Sequence, residues 1–179
     1  MKNYLCLIFS IAAGIYSLFY ANLGGFKGNA GALSKIGLTH PVLFAIWGAI
    51  TCAALFTNII VGFKKTKFKF YVYLIAVAAI GMILTISFDF DYNDQLNYWL
   101  HCIGSMTFSI VMGITVFLLF LLSKNYIFTA ASAIILITDL ILLIIFKETA
   151  IIELFPILSG LIMMVIHNMR KERKAVEIK

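Results

Sequence analysis

Six apolar runs, each about as long as a bilayer is thick, dominate this chain of 179 residues. They lie at roughly 4–20, 41–63, 71–87, 98–122, 126–146 and 150–168. A helix of about 20 residues spans a hydrocarbon core about 30 Å thick, and backbone groups in lipid must pair within the helix. No period-two alternation indicates a barrel. The runs predict an all-α integral membrane bundle of six transmembrane helices, forming a single domain over residues 1–179.

The composition indicates that lipid, rather than water, surrounds most of this chain. The chain is 63% apolar and 12% charged, whereas a soluble domain is about 45–50% apolar and about 25% charged. The first run resembles a signal peptide because Lys2 precedes it. Bulky aromatics end that run, and Ala21-Asn22-Leu23 is a poor cleavage site. We therefore expect the segment to be retained as the first span.

The basic residues predict the orientation of the helices. With six spans and an inner N-terminus, eleven of the fourteen Lys and Arg residues lie inside. These are Lys2, Lys64, Lys65, Lys67, Lys69, Lys124, Arg170, Lys171, Arg173, Lys174 and Lys179, and only Lys27, Lys35 and Lys147 lie outside. The pattern predicts a protein of the cell (plasma) membrane with both termini cytoplasmic. Because the net charge of +6 has this distribution, nucleic acid is excluded as a partner.

Ionisable residues within the spans indicate a site. Such groups cost several kcal/mol in a membrane and mark function by default. His101, Asp139 and Glu153 all map to the outer half of the bundle at about 1.5 Å of rise per residue. We take these three as the candidate catalytic residues and also as the candidate metal ligands. His167, at the inner rim, is interpreted as an interfacial side chain.

An acidic turn joins the third and fourth runs. The stretch 88–97 contains Asp89, Asp91 and Asp94 without a basic residue, and it falls on the extracytoplasmic side. These acids, with His40 at the start of the second run, are predicted to form the mouth of an outward-facing pocket. On the fourth span, Ser105 and Ser109 follow His101 at intervals of four and share its face. They are predicted to line that pocket.

Three functions suit such a pocket. The leading hypothesis is a non-catalytic protein that binds or senses membrane lipids and needs no cofactor. The alternative is a metal-dependent hydrolase of a lipid ester or amide, in which zinc activates water; against it, HExxH or comparable ligand spacing is absent. The second alternative is a small proton- or cation-coupled transporter, and purely structural pairing of helices also fits. The sequence is also compatible with a homo-oligomer or with a membrane-protein partner.

The longest outer loop runs from Ala21 to Thr39 and is rich in glycine. Its glycines disfavour a long helix, and its apolar residues favour contact with the membrane interface. A short helical turn is expected near 30–36. We interpret the loop as an interfacial connector, with a flexible lid over the pocket as the alternative.

Several short motifs resemble a family of small six-helix membrane proteins, the damage-regulated autophagy modulator type, and a related prokaryotic family of unknown function. The motifs are Leu33-Ser34-Lys35-Ile36-Gly37 with Pro41 and Phe44, Phe88-Asp89 through Asp94, Leu100-His101-x-x-Gly104-Ser105-x-x-Phe108, and Glu153. The family pattern has a Ser–acid–Leu–Gly segment, an outer Asp turn, a His opening the fourth span and a Glu near the last. Lys35 stands where the family has the acid. The resemblance implies a six-helix bundle with no settled biochemical activity.

Overall fold

The computed structural model describes residues 2–26, 28–64, 66–147 and 149–177, with side chains described from Asn3 to Arg170 except those of Asn29 and Ala30. Lys27, Lys65, Glu148 and Lys179 lie outside the described residues, as do the side chains of Lys2, Lys171, Arg173 and Lys174. The described chain is all-α. Its helices are α1 (Lys2–Leu23), α2 (Leu33–Thr39), α3 (Pro41–Phe63), α4 (Tyr71–Ser87), α5 (Gln95–Leu122), α6 (Tyr126–Phe146) and α7 (Ala150–Glu177), with a 3₁₀ turn at Gly28–Gly31.

Each predicted apolar run forms a helix. The helices α3, α4 and α6 begin and end where the apolar runs do, while α1, α5 and α7 extend beyond them. In the part of the chain that the structure describes, five helices are long and apolar enough to cross a membrane, and α4 is apolar but has 17 residues. The all-α membrane character expected from the sequence is thus confirmed at the level of composition and helix length.

Two close backbone contacts explain how α4 and α5 pack against each other. A Cβ atom added at Gly81 of α4 would lie 2.8 Å from the carbonyl oxygen of Gly104 on α5. One added at Gly104 would lie 2.7 Å from the carbonyl oxygen of Gly81. Small residues let two membrane helices approach this closely, because little hydrophobic driving force exists between helices in lipid. The crossing of α4 and α5 therefore depends on both glycines.

The helices differ in how much they contribute to the core. The helix α3 is the most buried of the five long apolar helices, and α1, α4 and α7 pack around it. The helix α6 contacts only α5 and α7 extensively, and Ser132 is its one buried residue. Most of its large aliphatic side chains are exposed, as expected for a helix that faces lipid.

The outer loop differs from the expected interfacial connector. Its second half forms α2, which enters the bundle and buries Leu33, Ser34, Ile36 and Gly37. The Tyr20 hydroxyl of α1 donates a hydrogen bond to the carbonyl oxygen of Leu33 at 3.1 Å. Ala32, which precedes the helix, makes no side-chain cap. The segment is therefore part of the core, and an acceptor for its first amide must come from elsewhere.

Candidate functional site

Glu153 of α7 supplies that acceptor. Its Oε2 accepts a hydrogen bond from the backbone amide of Leu33 at 2.5 Å, and its Oε1 lies 3.2 Å from the Ser34 hydroxyl. A carboxylate at the start of a helix satisfies an amide that has no partner within the helix and interacts favourably with the helix dipole. Glu153 thus ties the buried end of α2 to α7, across 120 residues of sequence.

His101 of α5 completes the cluster from the opposite side. Its Nε2 lies 3.0 Å from the Ser34 hydroxyl oxygen, and its Nδ1 lies 2.9 Å from the backbone carbonyl oxygen of Phe88. A carbonyl oxygen only accepts, so Nδ1 carries the hydrogen of that bond. In the neutral ring, Nε2 is then the acceptor, and it faces Ser34. We call Ser34, His101 and Glu153 the Ser34 cluster.

The position of the serine hydroxyl determines what the cluster can do. Ser34 has one hydroxyl hydrogen and lies within hydrogen-bond distance of both His101 Nε2 and Glu153 Oε1. It can donate to one acceptor at a time. When the hydroxyl donates to His101, the three groups match the parts of a nucleophilic site. The Phe88 carbonyl orients the imidazole, the imidazole is the base, and the Ser34 hydroxyl is the nucleophile.

Aromatic rings hold the imidazole in place. The Phe44 ring stacks on His101 at a centroid distance of 6.1 Å, and the Phe90 ring lies against it at 5.2 Å. Trp47 continues the stack behind Phe44 at 5.6 Å. With an exposed fraction of only 2%, His101 is among the most buried polar residues described. Its rotamer is therefore fixed by packing as well as by hydrogen bonds.

A cavity of about 200 Å³ begins at this cluster and continues between α5, α6 and α7. Most of its lining is aliphatic or aromatic. Its polar residues include Ser34, His101, Ser105, Ser109 and Glu153. The polar stripe predicted on the fourth span thus lines one cavity, with His101 at its polar end.

Asp139 lies on the α6 wall of the same cavity, apart from the Ser34 cluster. Its Oδ1 is buried without a hydrogen-bond partner among the described residues. Both Asp139 and His101 lie roughly 10 Å along their helices from the ends Phe146 and Gln95. The structure therefore places the three candidate catalytic residues around one cavity, and joins His101 and Glu153 through Ser34.

The acidic turn has local roles. Asp91 Oδ1 accepts hydrogen bonds from the backbone and side-chain nitrogens of Asn93, both at 2.9 Å. Asp94 caps α5, accepting from the Asn97 amide at 3.2 Å. Asp89 lines a second, much smaller cleft of about 10 Å³, which Ser34 and His101 also line. His40, the fourth predicted mouth residue, is exposed at the junction of α2 and α3.

The candidate metal ligands do not assemble into a ligand set. Within the described ranges, no group of three or more His, Cys, Asp and Glu side chains could hold a metal ion. Both ring nitrogens of His101 already face oxygen atoms of the protein. The donor set expected for zinc, with several converging nitrogen, sulfur or oxygen ligands, is not formed by His101, Asp139 and Glu153 here.

Sequence reasoning missed the central residue of the cluster. Ser34 carried no charge and lay in a glycine-rich loop, so charge and hydropathy gave no reason to choose it. The signal that pointed to it was the resemblance of Leu33-Ser34-Lys35-Ile36-Gly37 to a family motif. The role of the Phe88 carbonyl could not be predicted from the pattern of side chains, because it is a backbone group.

Comparison with known proteins adds no relative. Neither a family model, a curated protein nor a solved structure matches this chain. The resemblance to the damage-regulated autophagy modulator type of family stays a prediction from short motifs. The functional argument therefore depends on the geometry of the cavity and its polar end.

Proposed function

We propose that the chain is a membrane protein that binds one acyl chain of a membrane lipid in the cavity between α5, α6 and α7. The observation that carries this proposal is a largely apolar cavity of about 200 Å³ that ends at a polar cluster. A lipid has the same two parts, an apolar tail and a polar headgroup. The lipid class expected is an ester or amide whose polar part meets His101 and Ser34.

The size of the cavity supports a single chain. Small-molecule sites usually enclose about 300–1,000 Å³, and the cavity of about 200 Å³ is smaller than these sites. The cavity suits part of one acyl chain, and a headgroup with two tails exceeds it.

A buried glycine allows a direct test of this binding. Gly160 of α7 lines the cavity, and a Cβ added there would meet no atom within 4 Å. Gly160→Phe should fill the cavity without a clash at Cβ, while Gly160→Ala leaves most of it empty. The control is Ile162→Phe, which adds bulk on the same helix at a side chain that is 61% exposed.

The measurement is photo-cross-linking of the purified full-length chain by a lipid with a diazirine in its acyl chain. We expect adducts on α5, α6 or α7 in the wild type, Gly160→Ala and Ile162→Phe. Adducts should fall about tenfold or more in Gly160→Phe, which corresponds to a loss of about 1.4 kcal/mol. Equal cross-linking in Gly160→Phe and the wild type would overturn the proposal.

We further propose that all six apolar helices span a plasma membrane, with both termini cytoplasmic. The 17 residues of α4 measure about 25 Å, a few ångströms short of a typical hydrocarbon core, and its tight packing on α5 compensates for that mismatch. The distribution of basic residues supports the orientation. In intact cells, Asp91→Cys should react with an impermeant maleimide and Lys124→Cys should not. The reverse result would reject this orientation.

A further inference from the structure

Ser34 is a buried hydroxyl held between a base and a carboxylate at the end of a cavity. Its Oγ lies 3.0 Å from His101 Nε2, and His101 is oriented by the Phe88 carbonyl at 2.9 Å from Nδ1. In acyl-transfer enzymes, a nucleophile and its base lie about 2.6–3.2 Å apart, and a third group orients the base. A hydroxyl that served only to join helices would need neither an oriented imidazole nor contact with a cavity.

We infer that Ser34 is a nucleophile that accepts the acyl group of a lipid ester bound in the cavity, with His101 as its general base. This inference rests on the proposed lipid binding and adds a chemical step to it. It differs from the metal-dependent hydrolase considered above, because the nucleophile is a side chain and the step requires no metal ligand set.

The reaction follows from the hydrogen-bond order. Ser34 Oγ forms a bond to the ester carbonyl carbon while its proton passes to His101 Nε2. The bond from that carbon to the leaving alcohol then breaks, and the alcohol takes the proton from His101. The product is an acyl ester on Ser34. Water attacks this ester in the second half-reaction, with His101 again taking and returning a proton, and releases a fatty acid.

A second, small cleft also borders the cluster. This cleft of about 10 Å³ is lined by Ser34, His101 and Asp89. That volume is close to the minimum that holds one water molecule, about 10–15 Å³. Ser34 and His101 thus border both an apolar cavity for the acyl chain and a cleft of the right size for the hydrolytic water.

Glu153 acts as a positioning residue. Its carboxylate binds the Leu33 amide and lies 3.2 Å from the Ser34 hydroxyl, so it fixes the first turn of α2 and competes with His101 for the hydroxyl hydrogen. In Glu153→Gln, the amide oxygen can still accept from Leu33, and the amide nitrogen can donate to Ser34. The hydroxyl hydrogen then has His101 as its remaining acceptor. We expect this variant to react at least as fast as the wild type.

The test is covalent labelling of the full-length chain, in detergent or liposomes, by a fluorophosphonate with an alkyl tail. The Ser34 oxygen displaces fluoride from phosphorus and the proton passes to His101. Mass spectrometry of the wild type should locate the adduct on Ser34, a readout that requires no variant to fold. Ser34→Ala and His101→Gln should abolish labelling. Ser87→Ala, at the exposed end of α4, is the matched control and should label normally.

Ester hydrolysis separates this inference from lipid binding. With p-nitrophenyl octanoate and p-nitrophenyl acetate as probes, the wild type should favour octanoate, and Gly160→Phe should lose that preference while Ser34 still reacts with acetate. Ser34→Ala should keep the diazirine cross-link and lose hydrolysis of both esters. Cross-linking without any Ser34 adduct in the folded wild type would overturn the nucleophile and leave the lipid site standing. A Ser34 adduct without octanoate preference would instead overturn the acyl-lipid substrate.

Discussion

Two buried polar clusters lie at opposite ends of this bundle, and they are built differently. The Ser34 cluster joins α2, α5 and α7 near the start of α5, and it contains a carboxylate and an imidazole. The other joins α1, α3 and α7 at the far end through Asn3, Asn58 and Asn168, which we call the asparagine cluster. The first lines a cavity, whereas none of the three asparagines does.

The asparagine cluster has the chemistry of a structural joint. The Asn168 amide donates to the backbone and side-chain oxygens of Asn58 at 3.1 and 3.2 Å. Asn58 in turn donates to the Ser10 hydroxyl at 2.9 Å. Neutral amides satisfy one another without a charge to desolvate. The Ser34 cluster instead contains ionisable groups, a buried His101 and a half-buried Glu153, and such groups are costly in a membrane and typical of function.

The largest expected loss of stability follows from Glu153→Leu. The change removes the acceptor of the Leu33 amide and the carboxylate oxygen that faces the Ser34 hydroxyl. A hydrogen bond to a charged group is worth about 1.5–3 kcal/mol, so the loss of two should cost about 3 kcal/mol or more. Thermal unfolding in detergent should show a lower midpoint than in the wild type. An unchanged midpoint would mean that Glu153 does not hold α2 in the bundle.

The next largest loss is expected from Asn58→Leu in the asparagine cluster. This side chain donates to Ser10 and the Cys6 carbonyl of α1 and accepts from Asn168 of α7, and each interhelical hydrogen bond in a membrane is worth about 0.6 kcal/mol. We expect a loss of about 2 kcal/mol with fluorophosphonate labelling of the folded protein unchanged. Loss of labelling at a temperature where this variant is folded would contradict the separation of the two clusters.

A small effect is expected from Glu153→Gln. All the hydrogen bonds of the Ser34 cluster can be re-formed with an amide, so the free energy of unfolding should change by less than about 1 kcal/mol. Comparing the free energies of unfolding of Glu153→Gln and Glu153→Leu under the same conditions separates the contribution of the hydrogen bonds from that of side-chain volume. If both variants lost the same stability, the hydrogen bonds to α2 would not be the cause.

The one gain of stability is expected from Asp139→Leu. The Asp139 Oδ1 is buried without a hydrogen-bond partner among the described residues, and an unsatisfied buried group costs about 1–3 kcal/mol. Leucine removes that cost and adds apolar surface beside the cavity. Thermal unfolding should show a midpoint a few degrees higher, with Leu140→Ala on the same helix as a destabilising comparison. A lower midpoint would indicate a partner for Asp139 in the folded protein.

Much of this contrast was predictable from the chain alone. His101 and Glu153 were identifiable because ionisable residues are rare within apolar runs. The spacing of His101, Ser105 and Ser109 placed them on one helix face, which lines the cavity. The sequence predicts Asp91 and Asp94 at the mouth of the pocket, whereas in the structure their carboxylates bind Asn93 and Asn97 beside them.

Ser34 shows where prediction from sequence stopped. Its partners lie 67 and 119 residues away in the chain, and no local pattern encodes such a contact. Four glycines before α2 and Gly37 within it favoured a surface loop, because glycine lowers helix propensity. Burial of α2 depends on Glu153 and Tyr20, which bind its backbone, and that compensation exists only when the helices are packed.

Apolar runs and basic flanks by themselves determined an all-α membrane bundle, since a helix is the one element of this kind that satisfies its own backbone groups in lipid. The arrangement of ionisable residues likewise determined that a polar site would lie in one half of the bundle. Only the tertiary structure decided that the site centres on Ser34. A buried hydrogen bond depends on atoms being within about 3 Å, and helix packing alone brings residues 34, 101 and 153 that close.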